Sequence, residues 1–311
     1  MIQSIDELAN VLRGTGLEGR ALGEVWQHCG TDPVFTVALE AGREYDEQAL
    51  LRSLMAQTGR YALVSSKDHV DMTFCESAPS APPEWDWIEA TAAETLLVDG
   101  SAYLATGGSL SRFSETRTDD FSGWLAIDLS HPSHPLSDIQ RRFGEAPSVQ
   151  QICDLRDSGV LRSDADFERW LLRWEVERFG DAALLPPSFH YLDGHEFSEP
   201  HPRVAVLLPT QQSWKALLYT AWYGLEGGGA AELAASLRVW AENYGAELVA
   251  AFGTTLYLQV ARRPSNIDEA FVLALEHRHF ASDTFVLPGV STRDHARALL
   301  TLDRWFFHSR P

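Results

Sequence analysis

The stretch Leu237–Phe280, LRVWAENYGAELVAAFGTTLYLQVARRPSNIDEAFVLALEHRHF, decides the fold class. Trp240 and Tyr244 continue a stripe begun by Leu233 and Leu237, a spacing that puts all four on one face of a helix. Gly245 supplies the left-handed residue that ends such a helix. ELVAAF and TTLYLQVA read as two strands pivoting near Gly253, and so short a connection requires antiparallel pairing. In the second strand Leu256, Leu258 and Val260 alternate with Thr255, Tyr257 and Gln259, which predicts one buried face. Pro264 closes the hairpin, and Asn266 with Glu269 forms a capping pair for a helix over 267–280. This succession predicts an α+β protein with antiparallel or mixed sheets covered by helices.

Working outward, RVAVLLP (203–209) reads as a strand. A helix from about Gln211 carries Trp214, Leu217, Leu218 and Ala221, and glycines 227–229 break it. A last helix over about 292–305 ends in RWFF. At the other end, residues 3–13 read as a helix with Ser4 as N-cap and Gly14 as stop. Asp32-Pro33 opens a strand over 34–40, YDEQALLRSLMAQTG is a helix stopped at Gly59, and YALVSS and VDMTFCE read as strands, giving a β-α-β-β unit. SAPSAPP, 77–83, is hostile to helix and strand alike and reads as a linker. Beyond it, SAYLATGG and GWLAIDL look like strands. DADFERWLLRWEVERF (164–179) is a helix with Asp164 as cap and Gly180 as stop. A chain of 311 residues with these breaks predicts two domains. The division is an N-terminal unit at 1–76, the linker at 77–83, a middle α+β region at 84–200 that is continuous with the first unit in one reading, and a C-terminal α+β domain at 201–311.

Charge excludes whole classes of function. With 25 Lys and Arg against 44 Asp and Glu, the net charge is -19. Nucleic-acid binding needs clustered basic residues, and the nearest thing here is Arg141-Arg142 or Arg262-Arg263. An anionic membrane surface would repel the chain, and no apolar run approaches the ~20 residues that span a bilayer. The opening MIQSIDELANVL carries early acids and no basic segment, so no signal peptide is expected. Cys29, Cys75 and Cys153 form no C-x-x-C pair, which fits a reducing, cytoplasmic setting. Lys67 and Lys215 are the only lysines, which, with abundant alanine, suggests a GC-rich bacterial genome. A basic protein partner, by contrast, would be drawn in by this charge.

The motifs carry less chemistry than their letters suggest. GTGLEG (14–19) matches a dinucleotide fingerprint but follows a helix rather than a strand, and GLEGGG (224–229) lies between helices. Ser109 in TGGSLS does not form a hydrolase elbow. No cofactor is expected. His190, Asp193, His195, Glu196, Glu199 and His201 share one loop, but their spacing matches no closed metal site, so no metal is expected. Glu276 and His277 remain as catalytic candidates. Their helix is apolar nearly all round and should be well covered, so a carboxylate in it needs a partner. Adjacent helical residues diverge by about 100°, so the two cannot share one tight pocket. Glu276 is therefore expected to serve packing and ion pairing first, with His277, Arg278, His279, Arg262 and Arg263 as the nearest partners. Breaking that pair by Glu276→Gln is then expected to destabilise the fold.

The stretches VLLPTQQSWKALLY, LRVWAENYGAELVAAFGTTLYLQVARRP, DEAFVLALEH and RWFF, spanning 204–308, resemble the bacterial domain-of-unknown-function family 4253. Trp240, Tyr244, Gly245, Ala246, Pro264, Glu276, His277, Phe280 and Asp283 match that family's pattern. Ala281 and Ser282 stand where Cys and Pro are usual, and AWYGLEGGG replaces a Gly-Trp-Asn stretch. The resemblance implies relatedness and designates no catalytic residue.

The function expected from these features is a non-catalytic cytosolic binding protein, of the immunity or inhibitor type, that captures a basic protein partner. Trp222, Tyr223 and Asp283 are its candidate contact residues. The alternative is an enzyme of unknown reaction that uses Glu276 and His277 in a cleft of the C-terminal domain.

Overall fold

Strand-forming runs from both ends of the chain meet in one sheet. The computed structural model describes residues 1–27, 32–76, 134–185, 202–220, 222, 230–286 and 290–309. The linker at 77–83, the strands expected in SAYLATGG and GWLAIDL, the loop 190–201 and Tyr223 lie outside these residues. The described strands are β1 (Leu22–Gln27), β2 (Pro33–Ala38), β3 (Tyr61–Ser66), β4 (Phe74–Cys75), β5 (Arg203–Leu208), β6 (Glu247–Phe252), β7 (Thr255–Gln259) and β8 (Arg304–His308). They form an eight-stranded sheet in the order β4-β1-β2-β5-β3-β6-β7-β8. β3 and β6 run parallel and the other neighbours antiparallel, so the sheet is mixed and the fold is α+β.

The boundary drawn before residue 201 falls inside this sheet. β5 hydrogen-bonds β2 on one edge, with Phe35 opposite Leu207, and β3 on the other, with Leu63 opposite Val206. Every residue of β3 and β5 is buried, as central strands covered on both faces must be. Separating 1–76 from 201–311 would leave both edges of β5 unpaired, so the two segments build one sheet rather than two.

The described α-helices are α1 (Ile5–Leu12), α2 (Glu44–Ser53), α3 (Met55–Thr58), α4 (Lys67–Thr73), α5 (Pro135–Phe143), α6 (Val149–Asp157), α7 (Asp164–Phe179), α8 (Ala230–Tyr244), α9 (Ile267–Phe280), α10 (Asp283–Val286) and α11 (Thr292–Leu299). Alternation along the strands divides the core. Tyr61, Leu63, Val204, Val206, Leu256, Leu258, Trp305 and Phe307 pack with α8, α9 and α11. Phe35, Val37, Ala62, Ala205 and Leu207 pack with Leu8 and Leu12 of α1 and Leu51 of α2. α5, α6 and α7 hold a separate cluster around Ile139, Ile152, Phe167 and Leu171.

Local signals predict many boundaries. Ser4 caps α1, Asn266 caps α9 by accepting the Glu269 N–H at 3.0 Å, and Gly59 and Gly245 end their helices at φ 69° and 61°. Other expectations are corrected. VDMTFCE is mostly helical: the Ser66 hydroxyl accepts the His69 N–H and starts α4, leaving only Phe74 and Cys75 for a strand. RWFF is not a helix end. β8 extends the sheet along β7, with Trp305 opposite Leu258 and Phe307 opposite Leu256. Ser163, not Asp164, caps α7. The segment after Gln211 is a 3-10 turn, Ser213–Leu218. Tyr257, expected on an exposed face, is buried because β7 is covered on both faces.

Candidate functional site

Glu276 and His277 lie in the last turn of α9, and the helical rotation sends them to different surroundings. His277 points into the core and is fully buried. Trp240, Trp305 and Phe307 ring it at centroid distances of 4.7, 4.6 and 4.7 Å. Its Nδ1 lies 3.0 Å from Nε2 of His295 on α11. One ring must donate and the other accept, so the two cannot both be protonated. Burial pushes both imidazoles down, His295 to about 3, and each would repel a second charge on the other. His277 Nε2 has no hydrogen-bond partner among the described residues. An imidazole so enclosed offers no solvent route to a substrate.

Glu276 is half-buried, and its Oε2 accepts the Trp240 indole N–H at 2.8 Å. Burial raises its carboxyl pKa above the usual range, and the indole donor only partly opposes this. Glu276 forms no ion pair among the described residues, because the neighbouring arginines point elsewhere. Arg278 donates to the Thr292 hydroxyl at 3.1 Å and Arg262 to the Glu242 carbonyl at 2.7 Å. The carboxylate thus shares Trp240 with His277 without facing it.

Trp222 is corrected as a contact residue: only 2% exposed, it stacks on Phe280 at 5.4 Å, so its ring belongs to the core. Asp283 opens α10 and stays partly exposed. Tyr223 lies outside the described residues.

Two arrangements were not legible in the sequence. α11, TRDHARAL, is rich in charged residues, yet Arg293 and Arg297 are buried and face Glu175 of α7. Arg297 also donates to the Ala183 carbonyl at 2.6 Å, and Asp294 bridges it to Arg142. Burial lowers the Arg297 guanidinium to about 9, with Arg142 pushing the same way and Glu168 and Asp138 opposing. This cluster clamps α7 to α11. Only the i, i+4 spacing of the two arginines hinted at a shared face.

The second arrangement is an open cleft of about 430 Å³ between α7 and the start of α9, lined by Arg169, Arg173, Tyr244, Asn266, Asp268, Glu269 and Val272. Arg173 pairs with Asp268 at 2.7 Å. Glu269 accepts from the Ser265 hydroxyl and backbone N–H at 2.6 and 2.8 Å, and these donors hold its carboxyl pKa below the usual range. Burial pushes the Tyr244 hydroxyl pKa up. The cleft is not at Glu276 and His277, so the geometry does not join the catalytic candidates to it.

Among the described residues, no group of three His, Cys, Asp or Glu is placed to hold a metal ion, and no helix is long and apolar enough to cross a membrane. No curated protein and no solved structure matches the chain. The family model for a domain of unknown function, DUF4253, matches residues 204–308, which takes in β5 to β8, the aromatic enclosure and one wall of the cleft but not α7.

Proposed function

We propose that this is a non-catalytic, cytoplasmic binding protein of bacterial origin that captures a basic protein partner, as an immunity or inhibitor protein does. The observation that carries the reading is the charge balance: 44 acidic residues against 25 basic ones. Many arginines are paired with carboxylates of the same chain, among them Arg20 with Glu40 and Glu47, Arg52 with Glu247, and Arg293 and Arg297 with Glu175. A net acidic charge speeds encounter with a basic protein and selects against acidic ones. The enzyme reading draws no support from His277, which is sealed by aromatic rings, or from Glu276, whose carboxylate accepts from a neutral indole.

The test is affinity capture from native lysate at low and high salt, followed by reconstitution with the purified partner. A basic protein retained at low salt, released at high salt and forming a stoichiometric complex supports the reading. Retention of no protein, or of an acidic one insensitive to salt, refutes it.

A further inference from the structure

In the cleft between α7 and α9, the charge of Arg169 is answered by no carboxylate among the described residues. Arg173 is paired with Asp268, and Glu269 is held by Ser265. Asn266 accepts the Glu269 N–H and donates to the Ser265 hydroxyl at 3.1 Å. Arg169 has no hydrogen bond or ion pair among the described residues. Its guanidinium rests on the Phe271 ring, 5.3 Å from the centroid, and its Nε is shielded from solvent with no acceptor. With Nε closed off, the guanidinium reaches the groove through its two Nη groups, whose donors no described residue accepts.

We propose that this groove binds a monocarboxylate through the Arg169 guanidinium. The planar fork of an arginine presents parallel N–H donors that match the two oxygens of a carboxylate, a geometry that a spherical ion does not use. Val272, 43% exposed, gives the groove an apolar wall, which suits a ligand with a flat hydrocarbon body. Arg169 and Arg173 face Asp268 and Glu269, so the lining is neutral as a whole. A single negative charge pairs locally with Arg169, whereas a doubly charged phosphate is repelled more strongly by the two carboxylates. The site does not depend on the basic-partner reading, because its ligand is small and acidic.

The experiment uses the purified full chain labelled with 15N-arginine and titrated with sodium benzoate, then with inorganic phosphate, while the arginine Nε–H signals are followed. The Arg169 signal, assigned by its loss in Arg169→Gln, should shift saturably with benzoate. Arg169→Gln should weaken benzoate binding, read from Val272-region backbone amides, about tenfold or more. Val272→Asp, at an exposed position, should also weaken it while leaving the fold intact. It serves as the independent variant if Arg169→Gln fails to fold. Absence of a saturable shift, unchanged binding in Val272→Asp, or phosphate binding tighter than benzoate each overturns the assignment.

Discussion

Trp240→Ala should remove the keystone of the C-terminal half of the core. The indole is fully buried and meets His277, Phe280, Trp305 and Phe307 at centroid distances between 4.7 and 5.8 Å. Truncating a buried tryptophan to alanine costs about 3–5 kcal/mol in transfer and cavity terms. It also removes the donor to Glu276, and a hydrogen bond to a charged group is worth about 1.5–3 kcal/mol. Glu276 is half-exposed and can turn toward water, so only part of that second amount is lost. The expected cost is about 4–6 kcal/mol, against a typical total stability of about 5–15. Trp240→Phe separates the terms. It keeps an aromatic ring near Phe307 and removes the N–H, and should cost about 1–3 kcal/mol. Urea unfolding followed by circular dichroism measures both, and a cycle with Glu276→Ala, which removes the acceptor, isolates the hydrogen bond. If Trp240→Ala costs less than about 2 kcal/mol, or if Trp240→Phe costs as much as Ala, the reasoning fails.

Glu276→Gln should be as stable as the parent or more so at neutral pH, the opposite of the ion-pair expectation. Its folded carboxyl pKa is raised, so its contribution is present below the ordinary carboxylate pKa and is lost as pH rises through the raised value. A clearly lower urea midpoint at neutral pH would refute this. His277 and His295 act with the other sign. Their folded pKa values are depressed, so their contribution is present above about 6.5 and is lost as pH falls from there toward the folded values, about 3 for His295. His295→Gln should therefore flatten the fall in urea midpoint on acidification, and an unchanged slope counts against the buried pair. Arg297→Met leaves Glu175 answered by Arg293 alone and should cost about 3–5 kcal/mol, read from urea unfolding. A cost below about 1 kcal/mol would mean that the cluster is solvated. Arg60, fully buried, donates to the Ile2 and Pro33 carbonyls at 2.9 and 2.6 Å. Arg60→Met should cost about 1–3 kcal/mol and speed amide exchange in residues 1–13, and unchanged exchange there would disprove the anchoring role.

The candidate site shows where sequence reading stops. That Glu276 and His277 diverge follows from helix geometry alone, and the apolar surround of α9 foretold burial. Their partners did not follow. Trp240 lies 36 residues from Glu276, and His295 lies 18 residues from His277 on a separate helix. Proximity along the chain pointed to Arg278 and Arg262, but those side chains reach a hydroxyl and a carbonyl instead. Trp222 looked like a contact residue because aromatics favour interfaces, yet the Phe280 ring beneath it makes it core.

The sequence by itself determined what a few neighbouring residues decide. The caps of α1 and α9, the left-handed stops at Gly59 and Gly245, the β6–β7 hairpin and the buried stripe of α8 all rest on hydrogen bonds and dihedral preferences that close within one or two turns of chain. Only the tertiary structure decided the rest. It slots β5 between β2 and β3, places RWFF at the end of the described sheet and brings Arg169 into a cleft with the start of α9. It also buries Arg60, Arg293 and Arg297. The reason is physical. A strand's pairing edge and a buried charge are both incomplete, and the groups that complete them come from parts of the chain that meet only once the sheet and its helices have closed.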